Sequence, residues 1–229
     1  LSIHSFPTRR FPISPEVNKV IKNTNLNAKE FTPTQMLKKK EAYLLFVMMF
    51  TASMSGLYLI GMVKDIGVQL AGLTPVIAAN AVAMVAISNT AGRIILGALS
   101  DKVGRLNVVL FGFTVTAVSV IIMATVSMNF GIFFACVAGI AFCFGGNITV
   151  FPAIVGEFFG FKNHTKNYGI IYQGFGLGAL SGSFIASVAG GFKATFIVIG
   201  VMCIISIIIA LTIKDPEKEA MKEAKLSRG

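Results

Sequence analysis

Residues Asn89 to Val108 read N-T-A-G-R-I-I-L-G-A-L-S-D-K-V-G-R-L-N-V, and this stretch decides how the rest of the chain is arranged. It begins inside an apolar run that carries a single arginine, Arg93, and leaves that run through a short loop before a second apolar run starts at Leu106. Gly97, Leu99, Asp101, Gly104 and Arg105 stand at fixed offsets across the loop. Glycines let two helix ends approach closely, and an aspartate beside an arginine makes a charge pair that also answers the nearby helix termini. The stretch therefore reads as a tight hairpin between two spanning helices, with Asp101 and Arg105 at the turn.

Composition sets the class around that hairpin. The chain has 229 residues, 55% of them apolar and 13% charged, with a mean hydropathy of +0.78, which is too hydrophobic for a soluble domain. An all-α polytopic membrane protein follows, with the lipid bilayer as its first partner. The net charge of +10 lies between apolar runs rather than on one polar surface, so it speaks to topology and no nucleic-acid partner is expected. Cys136, Cys143 and Cys203 fall inside apolar segments without metal spacing and read as small core residues.

Six segments are long enough for the roughly 20 residues a helix needs to cross a bilayer. They run over about 41–63, 73–100, 106–128, 130–159, 166–191 and 194–214, the second opened by Thr74 as a cap with Pro75 in the first turn. Residues 1–40 hold eight basic residues and four prolines, with nothing apolar enough to span and no signal-peptide pattern. They read as a mobile cytoplasmic linker cut from something longer upstream. Residues 215–229 mix Lys and Glu at helical spacing and read as a solvated cytoplasmic tail. Lys and Arg divide 17 to 2 between the two sides, with Lys64 and Lys193 the two facing outward. By the positive-inside rule both termini are cytoplasmic, as expected of a multi-pass plasma-membrane protein.

The spacing G-x-L-x-D-x-x-G-R, from Gly97 to Arg105, resembles the cytoplasmic hairpin motif of the major facilitator superfamily of secondary transporters. The stretch from Pro152 through Phe159, Gly160, Lys162, Asn163, Asn167, Tyr168 and Gly169 to Tyr172 is similar to the oxalate/formate antiporter family, one branch of that superfamily, as is N-T-A-G-R around Arg93. The resemblance covers nearly the whole chain as helices seven to twelve. It implies a six-transmembrane-helix half of a major facilitator fold, a 3+3 inverted repeat, joined by the linker to an N-terminal six-helix half. It further implies transport of small carboxylates, with the Arg93 guanidinium holding the anion. Oxalate carriers of the family place a lysine shortly after the tyrosine of this helix. Phe175 stands there instead, which turns the reading away from oxalate.

The residues support the same site without the resemblance. A charge within the hydrocarbon is costly unless paired or hydrated, so Arg93 is a functional candidate, the alternatives being snorkelling to the interface or a structural pair with Asp101. Arg93 precedes Asp101 by eight residues and Phe175 follows Asn167 by eight, which at 1.5 Å per residue places both about 12 Å from the loops. Asn89 lies one turn before Arg93 and could share its face. Gly174, Gly178 and Gly182 line one face of the fifth span for close helix contact, while Tyr168, Tyr172, Phe175 and Ala179 form a second stripe. Thr51, Ser55 and Tyr58 on the first span and Asn147 at the Gly145–Gly146 break are further polar candidates, which interhelical hydrogen bonding explains equally well. The expected substrate set is thus Arg93, Tyr172, Gln173, Phe175, Asn147, Tyr58 and Asn89, and the expected gating set Gly97, Asp101, Gly104 and Arg105.

His4 and His164 lie in expected polar loops, and no HExxH, phosphate-loop or paired intramembrane carboxylate pattern suggests catalysis. The sequence is accordingly read as a transporter rather than an enzyme, with no cofactor or metal. The expected substrate is a small monocarboxylate such as formate, lactate or pyruvate. The alternatives are oxalate/formate exchange, a facilitator for sugars or drugs, and a structural six-helix protein, in which the hairpin motif would have no role.

Overall fold

The computed structural model describes residues 30–214 and Pro216. Residues 1–29, which hold most of the expected linker and His4, lie outside the described residues, as does the expected tail apart from Pro216. The helices are α1 (Pro33–Met36), α2 (Lys40–Ala71), α3 (Pro75–Val103), α4 (Arg105–Thr125), α5 (Phe130–Phe159), α6 (His164–Ile171), α7 (Gln173–Ala189) and α8 (Phe192–Thr212). By length and apolarity, α2, α3, α4, α5, α6 with α7, and α8 supply the six membrane spans.

Helix ends follow local chemistry. The Thr74 hydroxyl accepts from the Ile77 amide to start α3, with Pro75 in the first turn as expected, and the Asn129 side chain does the same for α5 through Ile132. The first span is longer than the sequence reading gives it. Lys64 and Asp65 are exposed but do not stop a helix, and α2 runs on to Gly72, whose φ of 62° provides the left-handed cap. The fifth span breaks at Tyr172: α6 ends there, a three-residue turn from the Phe175 amide to the Tyr172 carbonyl follows, and α7 continues. His164 is not in a loop but opens α6.

The spans pack first on fifth, second on fourth and third on sixth, with the first and fourth also in contact. Exchanging the first three spans for the last three turns the first pair into the second and leaves the third unchanged. That is the pattern of two three-helix repeats about a two-fold axis, and an odd number of spans per repeat makes them inverted. Glycine permits the close crossings where apolar burial gives little drive. A Cβ on Gly92 would lie 1.9 Å from the Phe142 carbonyl oxygen, and one on Gly145 2.1 Å from that of Asn89, so α3 and α5 meet backbone to backbone. Gly174 and Gly178 meet the Phe46 and Phe50 carbonyls in the same way, as their spacing leads one to expect. Phe113, Phe133, Phe151 and Phe196 fill the interior, and the three cysteines are buried and unpaired. The second and fifth spans are the least enclosed, with 17% and 22% of their apolar windows buried against 44–61% in the other four.

Candidate functional site

Arg93 lies on the open side of the second span. Gly92 turns one face of α3 into the α5 backbone, and the next residue therefore points away from that contact and is exposed. Its Nε donates to the Asn89 Oδ1 at 3.1 Å, and the Asn89 Nδ2 donates to the Ala141 carbonyl of α5 at 3.2 Å. Asn89 thus fixes the root of the guanidinium to the fourth span while the terminal amino groups remain available. Among the described residues the salt bridges all involve Arg105, so Arg93 does not pair with Asp101.

On the fifth span the glycine face is held against α2, which leaves Tyr172 and Gln173 exposed and Phe175 half-buried. The Tyr172 and Phe175 rings stack at 4.8 Å with 9° between their planes, and Tyr168 continues the row at 5.4 Å from Tyr172. The Gln173 side chain donates to the Gly169 carbonyl across the helix break at 3.2 Å. Arg93 and Asn89 therefore form one group, and Tyr172, Gln173 and Phe175 a second, on the two spans with the most open surface. Tyr58 and Asn147 sit elsewhere. Tyr58 is buried against Gly182 and packs edge-on to Phe196 at 6.4 Å, while Asn147 is buried against Gly112 of α4.

The hairpin carries a three-charge network. Arg105 pairs with Asp101 at 2.9 Å, the pair the spacing anticipates, and also with Glu157 near the end of α5. Glu157 is the functional candidate that sequence reasoning missed. Its side chain is 18% exposed and Asp101's is 67%, so the Glu157 contact is the better shielded of the two and ties the second, third and fourth spans at one end. Gly104 holds φ at 93° and ψ at 137°, a backbone region essentially confined to glycine. A Cβ on Gly97 would stand 3.2 Å from the Thr149 methyl, tighter than an ordinary contact. In chemical terms the arrangement offers one guanidinium braced by Asn89, aromatic and amide groups on another helix, and a three-charge network that joins three spans at one end of the bundle.

The family described as Major Facilitator Superfamily matches residues 42–228. The chain is 47% identical over 196 residues to an uncharacterised MFS-type transporter, YhjX, of Escherichia coli (strain K12), covering 86% of this chain and 49% of that protein. It is 25% identical over 223 residues to the oxalate:formate antiporter of Oxalobacter formigenes, covering 95% of this chain and 52% of that protein. The chain spans about half the length of the curated relatives it matches.

Proposed function

The chain belongs to the Major Facilitator Superfamily, and from that membership we propose that it is the C-terminal six-helix half of a secondary transporter for small monocarboxylates. Formate, lactate and pyruvate are the substrates in view. The second half is a further six-helix bundle of the same protein, and transport proceeds by rocking one half against the other around a site between them. The loops with Asp101 and Lys162 face the cytoplasm of a plasma-membrane carrier, in keeping with the 17 to 2 division of basic residues.

The observation that carries the reading is Arg93, a cation within an apolar span, exposed, braced by Asn89 and without a carboxylate partner among the described residues. A guanidinium can present two parallel N–H donors to one carboxylate, and an Nε held by Asn89 leaves the two terminal nitrogens for that fork. Tyr172 and Gln173 serve as neutral donors, and Phe175 gives the carbon end of the substrate an apolar wall. Asn147 and Tyr58 are buried against neighbouring helices, and the reading does not depend on either.

Oxalate/formate exchange is a second reading, favoured by the relative named for it. Against it stands Phe175, because a dianion beside one arginine leaves its second charge without a cation, at a cost of about several kcal/mol in a poorly hydrated site. The test is uptake from a panel of mono- and dicarboxylates by the full-length protein in vesicles, with Phe175→Lys beside the wild type. Monocarboxylate preference that moves toward dianions in the variant supports the reading. Wild-type preference for oxalate overturns it.

A further inference from the structure

The residues just ahead of the first span are bonded to the loop that opens the fifth. The Glu30 carboxylate accepts from the backbone N–H of Phe161 at 3.3 Å and of Lys162 at 2.9 Å. The Phe31 amide donates to the Phe159 carbonyl at 3.0 Å, and the Phe31 carbonyl accepts from the side-chain amides of Asn163 at 3.1 Å and Asn167 at 3.0 Å. The Phe31 ring meets Phe159 edge-on at 5.9 Å, and the Lys39 ammonium lies 5.7 Å from its centroid. Thr32 then caps α1 with a reciprocal bond to Gln35, and Met36 is fully buried. Two consecutive residues thus hold both the backbone and the side chains of a hairpin that is remote in sequence.

That hairpin leads straight to the substrate group. From Phe161 the rings step to His164 at 5.8 Å, to Tyr168 at 5.9 Å, to Tyr172 at 5.4 Å and to Phe175 at 4.8 Å, an unbroken row along one side of the fifth span. His164 is fixed sideways by a 2.8 Å hydrogen bond between its Nε2 and the Pro152 carbonyl of α5. Asn167, which is fully buried, sits within the row's first turns. The break at Tyr172 lets α6 tilt against α7, and because the Tyr168 ring on α6 touches Tyr172, which in turn stacks on Phe175, a tilt of α6 moves the rings at the break.

We propose that Glu30 and Phe31 form a clasp on Asn163, Asn167 and the Phe161–Lys162 backbone that sets the tilt of α6, and through the ring row the position of Tyr172 and Phe175 against substrate. Glu30, Phe31 and Asn167 are positioning residues in this scheme. The proposal rests on the reading above that Tyr172 and Phe175 line the site. The Glu30 bonds are exposed, so water can replace them when they part, and their release alters geometry more than it costs in folding.

The test uses the full-length protein in vesicles with Glu30→Ala, Asn167→Asp and the milder Glu30→Gln, which keeps one carbonyl acceptor. The expected result is a KM for the best monocarboxylate raised about tenfold in the first two, with Vmax within about twofold and Glu30→Gln in between. A second readout needs no substrate: in a Phe175→Cys background, with any cysteine outside this chain replaced by serine, the rate of maleimide labelling changes by about fivefold or more when Glu30→Ala is added, Cys136, Cys143 and Cys203 being buried. Should Arg93 prove not to bind carboxylate, the labelling rate still decides the clasp. Unchanged labelling and unchanged KM in Glu30→Ala, with only thermal stability reduced, would overturn it and leave Glu30 a plain loop anchor.

Discussion

Gly92→Ala is expected to damage the protein more than any other single added methyl group on the second span, because of what the methyl would strike. Its Cβ would stand 1.9 Å from the Phe142 carbonyl oxygen and 2.7 Å from the carbonyl carbon, where an ordinary contact is at least 3.4 Å. Both are backbone atoms of a long helix, so no rotamer change relieves the clash and α3 must move away from α5 by more than 1 Å. Overpacking in a well-packed interior costs about 1–3 kcal/mol, and a backbone obstacle places this change near about 3 kcal/mol. By the scaling for a domain of roughly 150–250 residues that is a fall in Tm of about 6–12 °C. The three buried cysteines provide the assay, since a thiol-reactive fluorophore reports unfolding as Cys136, Cys143 and Cys203 become accessible on heating in detergent. Gly176→Ala is the control, because a Cβ there meets nothing within 4 Å. A movement of α3 also carries Arg93 and its bond to Asn89, so the surviving folded fraction should bind substrate more weakly. If Gly92→Ala unfolds within about 1 °C of Gly176→Ala, the close crossing of α3 and α5 is wrong, and with it the reason Arg93 faces outward.

Glu157→Gln removes the shielded half of the Arg105 network and is expected to change transport rate severalfold while Asp101→Asn, whose carboxylate is 67% exposed, has the smaller effect; initial uptake rates at matched expression compare them. Gly104→Ala places a side chain at φ 93° and should lower stability by about 1–3 kcal/mol, read by the same thiol assay. Gly61→Ala, by contrast, has open space and no unusual φ and should be close to neutral.

The spans and the hairpin were legible because they rest on local rules: length of apolar runs, glycine spacing, and an aspartate four residues from an arginine. The Asp101–Arg105 pair and the glycine face of the fifth span are of this kind. Glu157 was not legible, since it lies 52 residues from Arg105 and only the packing of α4 on α5 brings the two together. The clasp is hidden for the same reason, its partners being more than a hundred residues apart. Tyr58 and Asn147 show the opposite difficulty. A polar side chain in an apolar span fits a cavity or a helix contact equally well by pattern, and here each is enclosed by neighbouring helices. The length of α2 was misjudged because Lys64 and Asp65 look like a loop, while the true terminator is the left-handed Gly72.

Whether Arg93 holds the substrate anion is tested by carboxylate binding and uptake by Arg93→Gln in the full-length protein, reconstituted at the same density as the wild type. Glutamine keeps a hydrogen-bonding head but has neither the charge nor the fork, so a loss of monocarboxylate affinity of at least about 100-fold, with Tm unchanged, is the predicted result. Monocarboxylate uptake at wild-type KM and Vmax in Arg93→Gln would contradict the account, and the substrate anion would then have to be held elsewhere.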